Sequence, residues 1–404
     1  MLIPCPEPSK GAANQVQISP LLTRSPQERF YHPELDILRF AAFFLIFLHH
    51  SIPHLPDFYS KMGVGPVLTT ALCALGAAGA FGVQLFFLLS AYLVTELMLR
   101  ERALRGQVDL KAFYLRRTLR IWPLYLFFLG LAWSMQWWVP GQHIGWPAML
   151  AFLGLCGNWW IVFEGFPSSI IFPLWFISLQ EQFYLVWPAW MRRLQLRGLL
   201  LSVAGLIAAA NAARWYQGVH HTWESKIWTN TFTHLDAIAM GILLAVLLGG
   251  QAPRLTRLHR AALYMGGAVC FVLAGSYFRI KADPLTTERI LMGYPVAVLG
   301  SLALFLATLR PQAGDAKASP GRLTSALLYL GSITYGLYVF HVLGLMISDY
   351  TVAHQDSSLG RYLFRNTVAF AVTLVFAAIS YQFLERPFLG WKQRFSRVQS
   401  RPGR

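Results

Sequence analysis

Ionisable side chains inside long apolar stretches are costly and mark functional candidates by default. This chain holds a small set of them. Arg39 and His50 share the stretch Leu35–Ile52. Eleven residues separate them, about 16 Å and almost three turns of helix, so they lie on one face at opposite depths. His49 points about 100° away. Histidine titrates near neutral pH and suits the removal of a proton from a hydroxyl. An arginine at that position also serves as a snorkelling interfacial charge, and a lone histidine as a hydrogen-bonding strut between helices. Glu181 lies in Pro173–Met191 with Trp175, Gln180 and Tyr184; His234 and Asp236 head Phe232–Leu248; Tyr335, Tyr338 and His341 lie in Ala326–Ile347. His50, Glu181, Asp236 and His341 fall in the same half of the bundle. Such a cluster fits a catalytic site, a proton relay or a structural network. Arg117 and Arg120, three residues apart, carry two guanidinium forks on one helix face. They suit bidentate contact with phosphate or plain membrane anchoring. Ser90 is small enough for close helix contact.

Composition says what scaffold must hold these residues. The 404 residues are 55% hydrophobic and 13% charged, with mean hydropathy +0.46. A soluble domain is usually about 25% charged, so an ordinary soluble globule is excluded. The 29 Phe, 16 Tyr and 14 Trp exclude a disordered basic chain. A helix crossing a bilayer needs about 20 mainly apolar residues. Ten stretches are predicted to do so: Leu35–Ile52, Phe81–Leu99, Ile121–Val139, Pro173–Met191, Leu199–Ala213, Phe232–Leu248, Ala261–Tyr277, Ile290–Leu309, Ala326–Ile347 and Thr367–Leu384. An eleventh, Ala148–Phe163, is short and interrupted by Gly154, Gly157 and Asn158.

Charge arbitrates the count. Basic residues cluster in the N-terminal tail, Arg100–Arg120, Arg192–Arg197, Arg254–Arg260, Arg310–Arg322 and Arg386–Arg404, which hold 25 of the 34 Lys and Arg. Ten spans with the N-terminus inside put all six on the cytoplasmic face, where such residues collect. An eleventh span would scatter them, so Gly141–Phe172 is read as an outer segment, re-entrant at most. The net charge of +16 therefore marks topology and contact with anionic lipid, not nucleic acid. The expected fold is all-α, a polytopic membrane bundle of about ten helices with both termini cytoplasmic. Residues 1–34 form a polar, disordered tail without the apolar core of a signal peptide, 35–387 the membrane domain and 388–404 a basic tail. The four cysteines have no C-x-x-C spacing, and no metal site is expected.

Six short stretches follow one another in a recognisable order. They are Leu35-Asp36-Ile37-Leu38-Arg39 with His50 beyond it, Gly82–Leu93, Arg117-x-x-Arg120 with Trp122-Pro123, Leu174-Trp175 through Glu181-Gln182-Phe183-Tyr184 and Pro188, Ser332–His341, and Glu385-Arg386-Pro387. In these, from about Tyr31 to Pro387, the chain resembles the acyltransferase family 3 of integral membrane acyltransferases. The resemblance implies transfer of an acyl group, commonly acetyl, from cytoplasmic acyl-CoA (acetyl-CoA above all) to a hydroxyl of a glycan or glycosylated acceptor. It implies residence in the cell membrane, the inner membrane of a bacterium. It implies His50 as the catalytic histidine, Arg39 assisting at the donor site, and Arg117 and Arg120 on the donor's phosphates; Glu181 is added as a catalytic candidate and Ser90 as a donor-site candidate. Trp175, Asp236, Tyr338 and His341 then remain for the acceptor.

The chain departs from the family's pattern in places. Ala91 stands where glycine is usual, and Phe176-Ile177 replace a Ser-Leu pair. Gln180 takes the usual glutamate position, with Glu181 one residue and about 100° further round the helix. His234 stands where an arginine often precedes the aspartate. No esterase-like domain follows the bundle, so the membrane-only form is expected. The rival readings are a transporter of an acylated or glycosidic small molecule, whose buried His, Asp and Glu would relay protons, and a structural or sensory bundle without catalysis.

Overall fold

The structure, a computed structural model, describes residues 30–311, 321–352 and 358–393. Most of the expected tails lies outside these residues. Among the described residues every regular element is helical. In order they are α1 (Pro33–Ser51), α2 (Pro56–Ser60), α3 (Pro66–Gly79), α4 (Gly82–Arg105), α5 (Leu110–Met135) and α6 (Trp146–Leu153). There follow α7 (Gly157–Glu164), α8 (Trp175–Met191), α9 (Leu196–Val219), α10 (Glu224–Thr229), α11 (Leu235–Leu248) and α12 (Arg257–Val272). The last are α13 (Thr287–Thr308), α14 (Arg322–Ser332), α15 (Thr334–Thr351), α16 (Leu359–Ser380) and α17 (Arg386–Gln393). All ten stretches expected to span are helical over most of their length.

Among the described residues six helical rods are long and apolar enough to cross a membrane: α3 running into α4, α5, α9, α12, α13, and α16 running into α17. A seventh forms if α14 and α15, which meet at 76°, are one broken span. The helices fit a multi-pass membrane protein. Helices α1, α8 and α11 fall short of that measure. The first carries Glu34, Asp36 and Arg39, and the others have 17 and 14 residues. These three hold His50, Glu181 and Asp236, so polarity and shortness coincide with the candidate residues. Between α5 and α8, α6 and α7 have eight residues each. At about 12 Å, neither crosses a bilayer.

Helix α4 is the axis of the bundle, with 17 of its 24 residues buried. A helix apolar on all sides belongs in such a core. By contrast α9 and α12 display Leu200, Leu201, Met265 and Val269 outward, as lipid-facing helices do. Close approach rests on small residues, as is usual between membrane helices. A Cβ on Gly241 of α11 would stand 2.8 Å from the Ala91 Cβ of α4. A Cβ on Gly331 would stand 2.5 Å from the Asp36 carbonyl carbon, so α14 lies directly on α1 beside the bend into α15. At the basic end α4 stops at Gly106, in the left-handed region with φ +75°. Asp109 then caps α5, accepting from the Ala112 amide at 2.9 Å. This tight link sets the depth of Arg116, Arg117 and Arg120.

Replacing Gly241 with Leu should force α11 off α4. Overpacking of this kind typically costs about 1–3 kcal/mol, so thermal unfolding in detergent should show a clear drop. Leu at the unobstructed Gly130 is the control and should leave the melting temperature nearly unchanged.

Candidate active site

A cavity of about 690 Å³ enters the bundle at the arginine-rich end. Helix α4 lines it with Phe86, Ser90, Leu93 and Leu97, one stripe at helical spacing. Helix α8 contributes Ile177, Gln180 and Tyr184, a second such stripe. Arg116, Arg117 and Arg120 of α5 and Arg39 of α1 make the mouth strongly basic. Arg39 donates to Asp36 at 2.6 Å, and Arg116 reaches Glu101 at 3.4 Å. The Arg117 guanidinium lies 4.4 Å above the Tyr184 ring, a cation–π contact that holds it flat against the wall. Arg120 has Glu385 as a charged neighbour.

Gln180 donates to Ser90 across the cavity. Glu181, one residue on, faces away towards α5. It is buried beside Trp122 and Tyr125, within Coulombic reach of Arg117, and its Oε1 has no hydrogen-bond partner. The 100° per residue of an α-helix separates the two fates. The structure thus gathers Arg39, Arg117, Arg120 and Ser90 at one cavity and leaves Glu181 behind its wall.

The histidines lie beyond the closed end. His50 Nδ1 is 3.0 Å from the Ile46 carbonyl and 3.3 Å from His341 Nε2. The two rings are 4.9 Å apart. His341 is fully buried on α15, with its Nδ1 2.5 Å from the Tyr338 carbonyl, whereas His50 is exposed. Tyr338 lines the cavity on its other side and donates to the Pro173 carbonyl at 2.5 Å. His49 bonds the Gly76 carbonyl of α3 at 2.8 Å and stacks on His54, ring centroids 5.1 Å apart. Lys281, in the loop before α13, pairs with Glu224 and lies 4.2 Å above the Trp228 ring. Burial holds the Lys281 ammonium below its usual range, against the pull of Glu224. This lysine is within Coulombic reach of His49, His50 and His54.

Asp236 is spent on a different partner. Arg214 of α9, with no exposed surface, grips both carboxylate oxygens at 2.6 and 2.7 Å and donates also to the Thr233 carbonyl. Its guanidinium lies 4.5 Å above Tyr294. His234 is fully buried between Gln84 and the Trp228 carbonyl, and Trp175 packs 5.9 Å from it. Sequence reasoning missed Arg214, because the apolar stretch read there ended at Ala213. An arginine inside a 24-residue apolar helix, away from its ends, was the signal. Among the described residues no group of His, Cys, Asp and Glu is arranged to hold a metal ion.

Comparison with known proteins agrees with this chemistry. Residues 32–382 match the family model described as an acyltransferase domain. A Staphylococcus aureus protein named "Putative O-acetyltransferase" is 25% identical over 348 residues, 78% of this chain and 55% of its own length. Peptidoglycan O-acetyltransferase OatA of Listeria monocytogenes is 26% identical over 332 residues, 76% of this chain and 51% of its own. The chain spans about half the length of these relatives. No solved structure matches it.

Removing one partner of a buried ion pair strands the other charge, at a cost of roughly 3–5 kcal/mol. Arg214→Ala and Asp236→Ala should each lower thermal stability accordingly. The double variant should lose less than the two single losses added together.

Proposed function

The chain belongs to the acyltransferase domain family, the match running through residues 32–382, and from there we propose that it is a membrane O-acyltransferase. In this reading it moves an acetyl group from acetyl-CoA to a hydroxyl of an envelope carbohydrate. The membrane is a bacterial inner membrane, and the relative named for peptidoglycan points to the acceptor class. One observation carries the reading. A basic, solvent-open cavity ends on the far side of Tyr338 from a paired histidine. Polyanion binding and proton removal thus share one axis through the bundle.

The donor enters at the arginines. Guanidinium forks suit its phosphates, and Arg117 and Arg120 sit where its polar head would stop. Arg39 adds positive charge on the same mouth. The slim thioester arm then follows the stripe of Ser90 and Gln180 inward. Glu181 acts through Arg117, steadying that guanidinium from behind the wall. The acceptor approaches His50 from its exposed side.

Hydrogen bonding supports Nε2 as the nitrogen of His50 that takes the proton. A carbonyl only accepts, so Nδ1 beside the Ile46 carbonyl carries the proton. His341 Nδ1 likewise donates to the Tyr338 carbonyl, which leaves its Nε2 as an acceptor facing His50 Nδ1. The His50 Nε2 lone pair is therefore free to take the acceptor's hydroxyl proton. As the hydroxyl oxygen bonds to the acyl carbon, the carbon–sulfur bond breaks. The proton passes from His50 to the departing thiolate.

Labelled acetyl-CoA, a carbohydrate acceptor and the purified protein test this directly. General-base catalysis is typically worth 10²–10⁴-fold. His50→Ala should therefore lose about that much turnover and keep its affinity for donor; turnover like the wild type would overturn the assignment. Arg117→Ala and Arg120→Ala should each weaken donor binding about tenfold or more, since a hydrogen bond to a charged group is worth roughly 1.5–3 kcal/mol. Glu181→Gln should raise KM for the donor more than it lowers kcat. A fall in kcat alone would return Glu181 to the reacting centre.

A further inference from the structure

His50 is exposed and stands in the last turn of α1. Among the described residues three rings lie against it: His341 at 4.9 Å, His49 at 5.2 Å and Phe172 at 6.0 Å between centroids. The two histidines are committed elsewhere, His341 to the Tyr338 carbonyl and His49 to the Gly76 carbonyl. Phe172 is half-buried and has no polar group to satisfy. Phe166 meets it at 5.7 Å with the ring planes at 82°, yet is 47% exposed. Neither phenylalanine lines the arginine cavity.

The backbone that carries the two rings is fixed on both sides. Phe172 opens the turn Phe172–Leu174 that leads into α8. The next residue, Pro173, accepts from the Tyr338 hydroxyl, so the helix that brings His341 to His50 also holds the chain beside Phe172. On the other side Ile170 and Ile171 are buried. The Ile170 amide donates to Gln142 Oε1 at 2.9 Å, and the His143 amide to the Ser168 carbonyl at 2.7 Å. Two phenylalanines are thus held beside the exposed histidine with ring surface that the fold does not cover. Membrane anchoring does not demand them. Trp137, Trp138 and Trp146, all exposed, supply the interfacial aromatics of the preceding segment.

We propose that Phe172, with Phe166 at its side, is the platform on which a sugar ring of the acceptor stacks while one of its hydroxyls meets His50. The inference rests on the acyl-transfer reading above and names the acceptor subsite of that same site. A pyranose with equatorial hydroxyls presents C–H bonds on its faces and hydroxyls round its rim. The face of an aromatic ring carries partial negative charge and takes the C–H face. The rim then stays open to a base at the platform's edge, where His50 stands. The residues expected at the acceptor, Trp175, Asp236, Tyr338 and His341, are all buried. Contact with an acceptor arriving from outside the bundle therefore falls to the exposed rings.

The test titrates the full-length protein in detergent with soluble glycan fragments of peptidoglycan, in binding and in acetyl transfer. Phe172→Ala should weaken fragment binding about tenfold, the scale of one lost aromatic face. It should raise KM for the fragment and leave acetyl-CoA affinity unchanged. Phe172→Leu keeps the apolarity but loses the flat face, and should lose nearly as much. Phe172→Tyr should bind as wild type does. Phe166→Ala alters an exposed side chain, so it reports on the platform even if Phe172→Ala does not fold, and should give a smaller loss. A folded Phe172→Leu variant that binds the fragments like wild type would make the ring a lipid anchor and overturn the proposal. A wild type with no affinity for the fragments would overturn it as well. A wild type that binds them through Phe172 yet transfers no acetyl would keep the platform and sink the acyl-transfer reading itself.

Discussion

An imidazole inside a bundle this apolar is costly unless its nitrogens are bonded. His341, with no exposed surface, meets that demand through the Tyr338 carbonyl and through His50, which lies 291 residues earlier in the chain. Much of the architecture follows from that contact. Helix α15 can present His341 to α1 because it meets α14 at 76°, and α14 lies against the Asp36 backbone at Gly331. The same helix turns Tyr338 into the cavity and bonds Tyr335 to the Ile121 carbonyl of α5. One bent element therefore ties the arginine-bearing helix, the cavity wall and the histidine together.

The distribution of charge obeys the same economy. Polar side chains within the bundle are paired in ways that separate function from support. Asp236 is saturated by Arg214 and sits in a structural knot with Thr233 and Tyr294. Gln84 donates to His234 Nδ1 nearby at 3.0 Å, and the Trp228 carbonyl takes the other ring nitrogen. Arg117 at the cavity is different. Arg117 rests on an aromatic face and has a carboxylate only at Coulombic range, so its donors remain available to an anion. This contrast between a saturated pair and a waiting cation distinguishes the binding mouth from the scaffold.

Much of this was legible in the sequence, and the rest was hidden for physical reasons. Period and apolarity located helices at all ten predicted stretches, and the glycines of Gly141–Phe172 marked a segment too broken to cross. The eleven-residue spacing of Arg39 and His50 anticipated their opposite depths. Glu181 was expected to assist catalysis, yet the 100° between it and Gln180 turns it away from the cavity. Helix α3 was missed because, at 14 residues, it falls short of the roughly 20 that a span needs. The pairings of Asp236 with Arg214, Glu224 with Lys281 and His50 with His341 were hidden for another reason. Each joins segments distant in sequence, which no local period encodes.

In the proposed reaction the arginine mouth and His50 lie at the two ends of one path for an acyl donor. A structure of the protein with a non-hydrolysable acetyl-CoA analogue tests this most directly. Phosphates on Arg117 and Arg120 with the acyl carbon beside His50 are the expected result. An analogue bound elsewhere, or one whose acyl end stays on the arginine side of Tyr338, would contradict it.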